Sequence, residues 1–178
     1  IFLKKNINMD YYKQHGEAPT LAFTPDGEYP VVNSEKGILH TTFEKRFPSK
    51  LRIKAGTRPN VVPGRTEIFV PVCPCKVREA VEKAGLDAFT FEIAEQEGGT
   101  ALTVIGLDAH ASLPEDGLNS IQAAFTVLDL LDLDGIDGEM VSTMHKALGM
   151  GVHGESMGLD IEDASGRLTL NPGVIDWN

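Results

Sequence analysis

The chain has 178 residues, 42% hydrophobic and 24% charged, with a formal net charge of −10. A chain of that length can bury a self-sufficient core, and the composition excludes disordered, collagen-like and disulfide-dense classes. The acidity excludes a phosphate-backbone binder, which needs a basic face.

No stretch approaches the roughly 20 apolar residues that span a bilayer, and the opening IFLKKNINMD is too short in its apolar part for a signal peptide. Neither nucleic acid nor a membrane is expected as a partner, and the chain reads as cytoplasmic.

The segment LAFTPDGEYPVVN is extended, because Pro25 lacks an N–H and pushes Thr24 toward the β region, which sets Asp26 at a strand end. ILHTTFEKRF, LRIKA and TEIFVPV alternate as three further strands, with the loop RPNVVPGR holding Asn60 before the last of them. Cys73 and Cys75 flank Pro74; a bridge across one residue strains disulfide geometry, so two unpaired thiols are expected. Val77, Ala80, Val81 and Ala84 recur at helical spacing, and Gly85 is placed to end that helix. Residues 88–107 read as a hairpin turning at EGG, and His110 follows its second strand. Ile121, Phe125 and Leu128 stripe one helix; Val141, Met144 and Leu148 stripe another after DLDGIDG. RLTL reads as a final strand before NPGVIDWN.

From about residue 66 the order strand, helix, strand, strand, helix is the split βαβ, ferredoxin-like arrangement, an α+β antiparallel sheet with helices on one face. Residues 1–36 stand outside that pattern, so the chain divides into 1–36 and 37–178. Taken on local chemistry alone, Asp26 fits a turn before Gly27, Asn60 fits a loop cap, and His110 fits a surface residue.

The spacing of AHASLPEDGLNSI resembles the Gly-x-x-Ala-His-x-x-x-Pro-x-x-Gly-x-Asn-Ala-Ile segment of the di-zinc amidohydrolases, a group that includes carnosinase, carboxypeptidase G and succinyl-diaminopimelate desuccinylase. Ser120 stands where Ala is usual. MDYYKQHGEAPTLAFTPDGEYPVVNSEKG, RPNVVP and SGRLTLNPGVI are similar to segments of the PepV-type Xaa-His dipeptidases, in the same order along the chain.

The resemblance implies an interior portion of a zinc-dependent dipeptidase. Residues 1–36 would be a remnant of its α/β catalytic domain, and 37–178 an incomplete ferredoxin-like lid domain. Asp26 matches a carboxylate ligand of one of two zinc ions. His110 matches a lid histidine that hydrogen-bonds the oxygen turning negative in the tetrahedral intermediate. Asn60 matches a lid residue that contacts the substrate's carboxylate end. The implied partners are a small peptide substrate, the remaining catalytic-domain segments and, through exposed edges, a second copy.

The sequence departs from that family where the metal site should be completed. No His-x-Asp segment precedes Asp26, and IFLKKNIN stands where a Glu-Glu pair is expected. A single carboxylate does not hold a catalytic zinc, so this polypeptide is expected to be inactive alone. His15, His40, His145 and His153 lie on scattered segments and do not suggest a replacement. Two other readings stay open: an N-acyl amino-acid deacylase of the same superfamily, and a non-catalytic ferredoxin-like module that binds a small molecule or dimerises.

Overall fold

A computed structural model of the chain describes residues 11, 14–17, 20 and 36–178. The chain forms two compact units, Ile1–Glu35 and Lys36–Asn178. In the first, the His15 ring stacks on Tyr11 at 4.2 Å and its Nδ1 bonds the Tyr11 carbonyl at 3.0 Å. Asp26 and the LAFTPDGEYPVVN strand lie outside the described residues.

In the second unit, period-two alternation decides the sheet. In β1 (Arg52–Ala55), β3 (Arg65–Val70) and β5 (Gly99–Ile105), every second side chain is buried, which places Ile53, Ile68, Val70, Leu102 and Val104 on one face. With β4 (Thr90–Gln96) and β9 (Ile175–Trp177) they form one antiparallel sheet in the order β4-β5-β3-β1-β9. One row of partners, Trp177, Ile53, Ile68, Leu102 and Ile93, crosses the whole sheet. Strand β4 skips the place beside β3, and β5 fills it antiparallel to both, which is the split βαβ. The fold is α+β and ferredoxin-like.

Helix α1 (Pro74–Ala84) starts on a proline whose missing N–H costs nothing there, and it closes on Gly85 at φ 61°. Helix α2 (Ser120–Asp129) is buried on almost every side; α1 and the sheet lie against it, and α3 (Gly135–Leu148) lies outside. Two polar side chains, Gln122 buried and Asp137 half-buried, tie α3 to its surroundings. Gln122 donates to the carbonyls of Leu148, Gly149 and Gly151, satisfying the orphaned end of α3. Asp137, in the first turn of α3, accepts from Ser49 Oγ at 2.6 Å and the Lys50 amide at 3.1 Å. Among the described residues no helix is long and apolar enough to cross a membrane.

Three expectations from sequence fail here. ILHTTFEKRF forms no strand, and Ile38, Leu39 and Phe43 are exposed. Strand β1 already has β3 and β9 as neighbours, so this segment has no ladder to join there; Phe47 packs edge-on to Trp177 at 5.3 Å, and Lys45 Nζ reaches Met140 Sδ at 3.5 Å. RLTL is not the last strand. Only its arginine lies in β8 (Gly166–Arg167), paired with β7 (Glu162–Asp163); Leu168 and Leu170 donate instead to the Ile161 and Val152 carbonyls, and the sheet resumes at β9. Cys73 and Cys75 are not unpaired thiols but a disulfide, because the turn into α1 sets their Cα atoms 5.4 Å apart, within ordinary bridging range.

Candidate functional site

The sequence marks Asn60 and His110, fifty residues apart, and the fold brings them side by side. Strands β2 (Val61–Val62) and β6 (Ala109–His110) pair antiparallel, with Val61 opposite His110, and the Ala111 amide donates to the Asn60 carbonyl at 3.0 Å. A two-residue ladder has little stability of its own, so its anchors matter. At one end the Gly64 amide donates to Asp108 Oδ1 at 2.7 Å, the Gly106 amide donates to the Gly64 carbonyl at 2.7 Å, and Ser120 gives both its amide and its hydroxyl to the Pro63 carbonyl. Gly64 has to be glycine: a Cβ there would stand 2.8 Å from the Asp108 nitrogen.

The His110 ring is exposed, and its local bonds fix where its proton resides. The Ser112 amide donates to His110 Nδ1 at 3.2 Å. A backbone N–H can only donate, so in the neutral ring Nδ1 is the acceptor and Nε2 carries the hydrogen. Ser112 Oγ, 2.7 Å from the same nitrogen, adds a second donor to it. Nε2 makes no hydrogen bond among the described residues, so an N–H donor is presented to solvent from a braced ring. Beside it, Asn60 Oδ1 is buried without a hydrogen-bond partner among the described residues, and an unmatched buried acceptor costs about 1–3 kcal/mol.

The remaining histidines do not gather into a metal site. His145 sits 4.0 Å from Asp129 and 3.5 Å from Thr126, between α2 and α3. His153 Nδ1 bonds the Leu168 carbonyl at 2.7 Å. Among the described residues no group of three His, Cys, Asp or Glu side chains is placed to hold an ion. These residues therefore do not fit a zinc centre. Nor does a pocket of about 620 Å³ between α2 and α3, open and beside Asp129, Asp132, Asp134 and Glu139, mark the site, for it lies away from the ribbon. The chemistry of His110 is the better guide than that volume.

Ser112, Asn119 and Asn171 were not singled out as site residues from sequence. Asn119 had a visible signal, a capping residue directly before an apolar helix. It accepts from the Ile121 and Gln122 amides at the start of α2.

No protein-family model matches the chain. A "Beta-Ala-Xaa dipeptidase" of Lactobacillus delbrueckii subsp. lactis is 30% identical over 182 residues, covering 96% of this chain and 38% of that protein. The chain is thus similar to a protein named as a dipeptidase. A "Putative dipeptidase YtjP" of Bacillus subtilis (strain 168) is 29% identical over 183 residues, covering 95% of this chain and 39% of that protein. A "Putative dipeptidase SH1171" of Staphylococcus haemolyticus (strain JCSC1435) is 30% identical over 183 residues, covering 94% and 38%. The chain spans about two fifths of the length of the curated relatives it matches.

Proposed function

We propose that residues 36–178 are the substrate-covering lid of a zinc-dependent dipeptidase of the PepV type, with His110 donating a hydrogen bond to the developing oxyanion. Support comes from similarity to dipeptidase-named proteins over nearly the whole chain. The single observation that carries the role of His110 is the Ser112 amide on its Nδ1, which leaves Nε2–H outward. A neutral donor held in place before reaction needs no reorganisation when negative charge appears on the scissile carbonyl oxygen. Asn60, in the turn that leads into the opposite strand β2, is the residue that contacts the substrate's carboxylate end, where its side-chain N–H is the donor that a carboxylate accepts. The metal belongs to residues outside 36–178, with Asp26 the ligand position within this chain.

The test is hydrolysis of short dipeptides, with added zinc, by the complete gene product and its His110→Ala variant. Loss of one oxyanion donor should lower kcat about 10²- to 10³-fold with KM nearly unchanged. An unchanged kcat removes His110 from the mechanism. Turnover of N-acyl amino acids in place of dipeptides would favour the deacylase.

A further inference from the structure

We infer that Asn171 is a positioning residue: its side-chain amide, referenced to the start of α2 through Asn119, fixes the loop that carries Asn60 and the partner strand that carries His110. The catalytic meaning of this truss rests on the function proposed above; its geometry does not.

At the end of the ribbon near Asn60 the main-chain bonds stay local, with the Val61 amide donating to the Arg58 carbonyl at 3.3 Å. The Asn60 carbonyl is taken by the Ala111 amide, and the carbonyls on either side, those of Pro59 and Val61, both accept from Asn171 Nδ2, at 3.4 and 2.8 Å. Asn171 Oδ1 accepts from Asn119 Nδ2 at 2.9 Å, and Asn119 Nδ2 also reaches the Pro172 carbonyl at 3.1 Å. Asn119 is only 7% exposed, and its Oδ1 is committed to the Ile121 and Gln122 amides.

This chain of bonds has one consistent assignment. Backbone amides can only donate, so Asn119 must present oxygen to the helix and nitrogen to Asn171. Asn171 must then answer with oxygen, which turns its own nitrogen toward two carbonyls that can only accept. Neither amide can flip without setting donors against donors. The segment after Asn171 closes on the same loop: a Cβ on Gly173 would stand 2.8 Å from both the Cα and the carbonyl oxygen of Pro59. The position of Asn60 is thereby tied to α2, the most deeply buried helix, through a side chain more than a hundred residues away in sequence.

Asn171→Asp is the sharp variant, because it keeps the shape and replaces the donor with an oxygen facing two carbonyls. In the 178-residue chain, amide exchange at Ala111, whose N–H bonds Asn60, should accelerate about tenfold or more while exchange at Ile53 and Leu102 stays unchanged. Unaltered exchange at Ala111 overturns the inference. Acceleration at all three sites also overturns it, since that is general destabilisation. Should the aspartate variant fail to fold, Asn171→Ala is read the same way.

In the complete gene product, Asn171→Asp should lower kcat about 10- to 100-fold with KM within about threefold, as misplacement of a reacting group does. Faster exchange at Ala111 with a wild-type kcat refutes the positioning role. If the wild-type protein hydrolyses no dipeptide, the proposed function fails, and the exchange measurement still decides the truss.

Discussion

The helix-facing side of the sheet and the ribbon that carries His110 are built from different forces. Under α2 the contacts are apolar and redundant: Phe125, Ile53, Leu102 and Val104 are each within 1% of complete burial, and losing one bond there loses little registry. The β2–β6 ribbon has two residues per strand and buries one large apolar side chain, Val62, so its position depends also on a handful of directed polar bonds to Ser120, Asp108 and Asn171. Non-directional burial supplies stability, whereas directed bonds supply placement. A domain that must present a histidine at a defined angle needs the second kind where it needs least stability.

The largest effect that sharpens this contrast is in the core. Phe125→Ala should destabilise the folded chain by about 3–5 kcal/mol, the usual cost of a buried aromatic truncation. Urea unfolding followed by circular dichroism would measure it. A loss under about 1 kcal/mol would mean that the apolar layer does not carry the fold.

A smaller effect is expected at the ribbon. Ser112→Ala removes the hydroxyl from His110 Nδ1 but leaves the amide that sets the tautomer. Loss of one neutral hydrogen bond, about 0.5–1.5 kcal/mol, should lower kcat by about 2- to 10-fold. Imidazole ¹⁵N shifts of the neutral ring should still report Nε2–H in the variant. A ring that changes tautomer on losing the hydroxyl would show that the backbone amide is not the determinant.

The same contrast explains what could be read from sequence. Strands β1, β3 and β5 declare themselves by alternation, and α1 to α3 by helical stripes, because each buries one face against a continuous apolar layer. His110 and Asn60 were legible through motif spacing. Asn171 was hidden: Asn-Pro-Gly reads as a turn, and its partners Asn119 and Val61 lie far away in sequence. ILHTTFEKRF misled for the complementary reason, since its alternation is real but no neighbouring strand is available beside β1. Periodicity reports what a segment could bury, and topology decides whether there is anything to bury it against.

The smallest effect concerns the excursion that leads into Asn171. Arg167 grips Asp160 through two bonds of 2.6 Å each and holds that carboxyl below the usual aspartate range. Glu155 is lowered by bonds from its own amide and that of His153, and Asp163 by the hydroxyl and amide of Ser165. Each carboxyl thus has a folded pKa below its unfolded one. Their contribution is fully present above the ordinary carboxylate range near pH 4 and is lost as pH falls through the depressed folded values.

All three groups lie at the surface and are screened by solvent, so the effect on global stability should be slight. It should show locally instead. On acidification below about pH 4, chemical shifts of residues 151–170 should move before those of Ile53 and Leu102, and Asp160→Asn should remove part of that early change. If the core responds first, the excursion is not held by these carboxylates, and the division between apolar stability and polar placement fails at the segment that delivers Asn171.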